Sequence, residues 1–220
     1  PGDPGVLVFL FLLQFILPAY HHSTFSKIMV LASYAVGFNI LLGYTGLMSL
    51  GHAMFFSTGM YVTGICVYHF GFTGIPALGI GLIITVFVSM LIGAVALRTS
   101  GVSFLIVTLM FGQTAFLSVL YFDLFTLGQD GFTLTKKLQP LVLGSTSFSY
   151  TDPNFKYNAA WLLFAVCLIL SNLLILSPIG RVLIAIRENE ERTQMLGYNT
   201  YLYKLFALTL SGTLSGLAGS

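Results

Sequence analysis

Asn39-Ile-Leu-Leu-Gly43-Tyr-Thr-Gly46-Leu-Met-Ser-Leu-Gly51-His52 lies inside the longest uncharged run of this chain: no Asp, Glu, Lys or Arg occurs from residue 28 to residue 97. A water-facing domain cannot leave such a length without charge, and the stretch is apolar on all sides rather than at every second position. That pattern indicates membrane helices and argues against the alternating strands of a membrane barrel. Within it, two glycines three residues apart weaken any helix that passes through them.

The rest of the chain agrees. Of 220 residues, 7% are charged and 56% are hydrophobic, whereas soluble domains carry roughly a quarter charged residues. Mean hydropathy is +0.92. A soluble globular enzyme is excluded by the missing polar surface, and disorder by the apolar content. The formal net charge of +2 gives no footprint for nucleic acid. Cys66 and Cys167 fall in apolar runs, outside any Cys/His ligand spacing, so neither a redox nor a metal site is expected. No basic residue precedes the first apolar stretch, which is therefore read as a first span and not a signal peptide.

The expected fold is an all-α, polytopic transmembrane bundle, one membrane domain over residues 1–220. Six spans are read at 6–20, 28–42, 47–67, 75–97, 102–122 and 158–176. A seventh begins at Leu205 and reaches Ser220. Its 16 residues cover about 24 Å of a hydrocarbon core of roughly 30 Å, so the expectation is a truncated span and a longer parent protein. Two polar connections stand on opposite sides. They are residues 123–157 and residues 177–204, with Arg98 on the side of the latter and Lys27 on the side of the former. The positive residues then divide five to four, too evenly to orient the protein by themselves.

The spans contain no ionisable side chain except histidine, and ion-driven pumps usually need one near the bilayer centre. Energy for uphill transport is therefore expected from outside the spans, although a sodium-coupled carrier that binds its ion through carbonyls and hydroxyls remains open. A structural membrane scaffold is a third reading. Gly43-Tyr44-Thr45-Gly46 also has two readings. It is either a broken helix beside a solute pathway or a tight turn between two spans. Ser49, Gly51 and His52 continue it. His52, Asn39 and Gln113 are expected to be hydrogen-bonded packing residues, and Gly212-x-x-x-Gly216, flanked by Ser211 and Ser215, predicts close helix packing.

In the 177–204 loop, Asn189 suits an N-cap, Glu190 and Glu191 a first turn, and Gly197 the position after a helix end. This predicts a helix from Glu190 to Leu196 that leaves Met195 and Leu196 exposed. Seven residues do not hold a helix unaided in water, so it should dock on its own membrane domain or on another subunit.

The stretch Asn39–His52, continued by Ala53, Phe55-Phe56, Gly59 and Tyr61, resembles the permeases of branched-chain amino-acid ABC importers. Gly180-Arg181, Ala185-Ile186-Arg187-Glu188-Asn189-Glu190, Leu196-Gly197, Tyr203-Lys204-Leu205 and Ser215-Gly216-Leu217-Ala218-Gly219 are similar to that family's second signature. Gly128-Gln129-Asp130-Gly131 is similar to a feature of its outer loop. Urea importers have similar permeases, so a urea or short-amide solute is an alternative.

The resemblance implies a multi-pass protein of the bacterial inner membrane that is itself no enzyme, with residues 177–204 as its cytoplasmic coupling loop and residues 123–157 as its extracytoplasmic loop. Its expected partners are a second permease subunit, two cytoplasmic ATP-binding subunits, an extracytoplasmic solute-binding protein and the lipid bilayer. No cofactor is expected on this chain, and ATP-Mg is expected on the partner subunits. The residues implied in coupling to the ATPase are Gly180, Arg181, Arg187, Glu188, Glu190, Glu191, Met195, Leu196 and Gly197. Those implied along the pathway are Asn39, Gly43, Tyr44, Gly46, Ser49, Gly51 and His52. ABC permeases in general carry Glu-Ala-Ala-x-x-x-Gly in this loop; Glu191 and Gly197 keep the ends, while Arg192 and Thr193 replace the alanines.

Overall fold

The structure, a computed structural model, describes residues 4–16, 19–128, 141–143, 146–148 and 153–220. The helices are α1 (Pro4–Ile16), α2 (Ala19–Asn39, extended by a π-helical turn Ile40–Tyr44), α3 (Ala53–Tyr68), α4 (Gly74–Ala96) and α5 (Val102–Tyr121). After the short α6 (Asp123–Thr126) come α7 (Pro153–Leu176), α8 (Pro178–Glu188), α9 (Glu190–Met195) and α10 (Thr200–Gly219). One antiparallel hairpin, β1 (Leu141–Leu143) with β2 (Thr146–Phe148), pairs Leu141 with Phe148 and Leu143 with Thr146.

The bundle is apolar outside, and inside it mixes large apolar side chains such as Phe55, Phe104 and Leu208 with small and hydroxyl residues. Ile83, Phe87, Met110 and Leu162 stand exposed on its flanks, as lipid contact requires. The centre is α10, which packs on α2, α3 and α4. On α4 the buried residues Ala77, Gly81, Thr85, Ser89 and Gly93 recur every fourth position, a stripe that lets neighbouring backbones approach. Gly216 of α10 sits against Thr85, and Gly59 of α3 sits against the backbone of Gly216. The buried hydroxyls of Ser33, Thr85 and Ser215 donate to carbonyls four residues back in their own helices, which satisfies them without water.

Contacts set the directions. The Tyr201 hydroxyl at the start of α10 donates to the carbonyl of Ala94 at the end of α4, so these two helices run antiparallel. His22 pairs with Asn154, and Ile40 packs in one cluster with Leu174, so α2 and α7 run parallel. The α4–α5 turn with Arg98 thus lies at the same end as α8 and α9, as span counting expects, and Lys27 and Lys156 lie at the other.

The span boundaries need correction. Among the described residues, four helices are long and apolar enough to cross a membrane: 21–44, 74–96, 102–121 and 153–176. The expected span at 47–67 is helical only from Ala53, and α3 has 16 residues, about 24 Å at 1.5 Å each. Within the first expected span the described helix is Pro4–Ile16, 13 residues. Both polar connections shrink, because α7 already starts at Pro153 and α10 at Thr200. Of the expected outer-loop motif, Gln129, Asp130 and Gly131 lie outside the described residues, as do Lys136, Lys137 and Asp152.

Candidate functional site

The break after α2 is longer than two glycines suggest. The helix widens into the π turn, Thr45 donates its hydroxyl to the Leu41 carbonyl, and Leu47 turns its amide back to the same carbonyl. Gly46 then takes φ +71°, a left-handed conformation that costs a non-glycine residue. From there the chain runs without helix to the turn at 50–52. This is no tight turn between two helices. Gly46 faces Arg187 on α8, whereas Gly51 lies on the backbone of α5 at Thr108 and Gly112. His52 reaches Ser211 of α10. Ser211 is eleven residues from Thr200, about 16 Å along α10, so the irregular segment climbs into the bundle before α3 begins.

Glycine is required at Gly51 because a Cβ there would occupy the space of the Thr108 carbonyl. Ser49 and His52 are buried beside it, while Met48 and Leu50 are exposed. Asn39 lies over Gly43 in its own helix, and Tyr44 is half-buried at the end of the π turn.

His52 is 1% exposed and ringed by Tyr34, Phe38 and Phe55, with ring centroids 5.1–5.8 Å away. Its Nε2 lies 2.9 Å from Ser215 Oγ and 3.2 Å from Ser211 Oγ. Both hydroxyls are already donating, Ser211 to the Gly37 carbonyl at 2.5 Å and Ser215 to the Ser211 carbonyl at 2.9 Å. They can only accept from His52, so Nε2 carries the proton and Nδ1 is the bare acceptor of a neutral ring. Nδ1 finds no hydrogen-bond partner among the described residues. His52 is thus hydrogen-bonded across to α10 and joins the start of α3 to it.

Asn39 and Gln113 differ from expectation: neither makes a side-chain hydrogen bond among the described residues. Asn39 faces down its own turn, and Gln113 opens into a cleft between α3 and α5. That cleft has a volume of 620 Å³ and is lined by Leu50, Gly51, Ser57, Tyr61, Gln113, Phe116 and, at its far end, Gly128. It is mostly apolar with a few polar groups, and its wall includes the irregular backbone at Leu50–Gly51. Backbone without helix is tolerated at membrane depth only against protein or a watery cavity.

At the other end of the break stand α8 and α9. Ser177 caps α8 by accepting from the Gly180 amide at 3.2 Å, and Pro178 occupies its first turn, a start signal legible in Ser177-Pro178 that the loop reading missed. Gly180 lies against the end of α7, where a Cβ would approach Ile175 Cα to 2.8 Å. Leu183 and Ile186 are buried, so α8 is fastened to the bundle along one face. Arg181, Arg187 and Glu188 are exposed on the other.

Asn189 caps α9 by accepting from the Arg192 amide at 2.9 Å, and Gly197 leaves it at φ +89°, as the sequence predicts. The six residues of α9 are held on one side. Glu190 pairs with Lys204 at 2.5 Å, Thr193 is buried, and Gln194 donates to Thr200 at 2.9 Å. The other side carries exposed Glu191, Met195 and Leu196, the last two 85% and 71% exposed. Between α8 and α9 runs a second cleft of 420 Å³, lined by Arg181, Val182, Ala185, Leu196 and Tyr198.

Thus two groups of residues that sequence reasoning treats separately meet in space. Arg187 donates from Nη1 to the Gly43 carbonyl at 2.6 Å. The contacts of Gly51 with α5 and of His52 with α10 carry no local signal in the sequence, because their partners lie 57 to 163 positions away.

Comparison with known proteins bears on the whole arrangement. The family model described as "Branched-chain amino acid transport system / permease component" matches residues 22–220. The high-affinity branched-chain amino acid transport system permease protein LivM of Escherichia coli (strain K12) is 30% identical over 206 residues, covering 84% of this chain and 48% of that protein. LivM of Salmonella typhimurium is 29% identical over 205 residues, with the same coverage of each. The chain therefore spans about half the length of the curated relatives it matches. No solved structure matches it.

Proposed function

This chain belongs to the branched-chain amino acid transport permease family, and on that premise we propose that it is the membrane-spanning subunit of an ATP-driven importer in the bacterial inner membrane. Its solute is a branched-chain or related amino acid, the class named for the relatives. A second permease subunit, two cytoplasmic ATP-binding subunits and an extracytoplasmic binding protein complete the machine. ATP-Mg is held and hydrolysed by the partner subunits, and this chain contributes motion and a path.

One observation carries the reading. A six-residue helix, α9, is pinned to the bundle by Glu190, Thr193 and Gln194 while Met195 and Leu196 project from it. Two adjacent large apolar side chains on a charged, water-facing loop suit a protein partner. With the ATPase docked there, the α8–α9 end faces the cytoplasm. Arg98, Arg181, Arg187, Arg192 and Lys204 then gather inside, in the sense of the positive-inside bias.

In this reading the irregular segment and α3 together make one crossing, and α2, α4, α5, α7 and α10 make the others. ATP-driven closure of the partners displaces α8 and α9. The bundle answers by opening one end of the path beside Gly43–His52, whose irregular backbone and the cleft with Ser57, Tyr61 and Gln113 offer the solute its polar contacts. The apolar walls suit an aliphatic side chain.

Purification from membranes tests this. The chain should co-purify with ATPase subunits, and vesicles holding the complex with its binding protein should accumulate branched-chain amino acids only when ATP is supplied. Gly197→Pro, which removes the left-handed turn, and Glu191→Arg, which reverses charge on the exposed face, should each weaken ATPase association. Wild-type association and uptake in both variants would refute the docking role. Uptake of urea in place of amino acids would reassign the solute.

A further inference from the structure

We propose that Arg187 is a positioning residue that ties the α8–α9 surface to the break in the membrane span, so that α8 cannot move without either uncapping the end of α2 or carrying it along. The inference rests on the importer reading above. It assigns Arg187 an intramolecular partner, where the sequence points only to a contact with the ATPase.

Three observations converge on it. First, α2 ends in a π turn, and the next amide beyond Gly46, that of Leu47, is directed back to Leu41. The Gly43 carbonyl is instead met by Arg187 Nη1 at 2.6 Å. A guanidinium at this place sits on the negative end of a helix dipole and makes a charge-assisted hydrogen bond. The cap thus comes from an element 144 residues away in sequence.

Second, the stem of Arg187 lies across Gly46. A Cβ at Gly46 would stand 3.2 Å from Arg187 Cγ and 3.8 Å from its Cβ. Gly46 is thus required for its φ of +71° and also for the room it leaves this side chain.

Third, α8 holds Arg187 rigidly. Leu183 is buried in one cluster with Ile40 of the π turn, Leu174 of α7 and Ala207 of α10. Ile186, next to Arg187, is buried as well. Displacement of α8 toward a docked partner therefore pulls the guanidinium off the Gly43 carbonyl, or drags the end of α2 with it. Either movement is felt where the chain has no helical hydrogen bonds to resist it.

The test is made in the complete transport complex in proteoliposomes, reading ATP hydrolysis and solute uptake side by side. Arg187→Ala should assemble and hydrolyse ATP near the wild-type rate, with solute moved per ATP reduced about tenfold, the scale set by loss of one charge-assisted hydrogen bond. Its KM for solute should not change. Arg187→Lys should restore part of the ratio, because it supplies the cation but not the planar fork.

A wild-type ratio of uptake to hydrolysis in Arg187→Ala would overturn the proposal. So would parallel loss of assembly, hydrolysis and uptake, which would make Arg187 a docking or folding residue. The approach of position 187 to position 46 is checked without transport. Gly46→Cys with Arg187→Cys places the Cβ atoms within disulfide range, and mild oxidation of the purified chain should cross-link residues 46 and 187. Absence of that cross-link would also overturn the proposal. A wild-type complex that shows no ATP-dependent uptake but a chain that cross-links would instead reject the importer reading.

Discussion

His52 shows how one side chain can tie a membrane bundle together. Its single N–H serves two serine hydroxyls that are themselves committed to backbone carbonyls, and aromatic rings fill the space around it. Replacing His52 with Ala removes that donor and opens a cavity, so the chain should lose about 2–4 kcal/mol of stability, read as a lower thermal midpoint in detergent. Gly46 is different, because the constraint there is backbone conformation. Gly46→Ala should cost about 1–3 kcal/mol through the left-handed φ alone, with Arg187 crowded in addition. Gly43→Ala, by contrast, should displace only the Asn39 side chain, and its thermal midpoint should fall less than that of Gly46→Ala.

Among the elements, α4 and α10 depend on smallness and α9 on capping. The every-fourth-residue stripe on α4 meets Gly212 and Gly216 of α10, where a Cβ at Gly212 would come within 2.7 Å of Ser89. Gly216→Leu would push a branched side chain into Thr85 and should destabilise the bundle by about 1–3 kcal/mol, visible as loss of the monodisperse peak in size-exclusion chromatography on heating. For α9 the weak point is Asn189. With only six residues the helix has little cooperativity to draw on, so Asn189→Ala should cost it about 1 kcal/mol. The measurable consequence is a severalfold weaker affinity for the proposed ATPase subunits, with the thermal midpoint of the bundle nearly unchanged. The Glu190–Lys204 pair lies at the same place but is partly exposed, so its share should fade as salt rises.

The whole molecule alternates direction. Helices α2, α4 and α7 run one way and α3, α5 and α10 the other, so the charged α8–α9 element and Arg98 share one end. Among the described residues the charges on the crossing helices, Lys27, Lys156 and Lys204, lie toward helix ends and none stands at a helix centre, so this chain alone in vesicles should not concentrate solute under an imposed sodium or proton gradient, whereas the complex with ATP should; gradient-driven accumulation by the lone chain would refute the proposed energy source. Much of this architecture is legible in the sequence. The uncharged runs mark the membrane helices, Ser177-Pro178 and Asn189 with Gly197 mark the ends of the loop helices, and Gly212 with Gly216 announces close packing. These signals are local, since a cap, a turn or a span is specified by neighbours within a few residues. The sequence alone therefore determined that the protein is a helical membrane bundle with a capped, partly apolar helix on one polar loop. Only the tertiary structure decided that the glycine pair opens a climbing segment instead of a tight turn, that Gly51 and His52 anchor it to α5 and α10, and that Arg187 closes the end of α2. Each of those depends on groups far apart along the chain, and nothing in local propensity states which backbone carbonyl a distant arginine will find once the helices have packed.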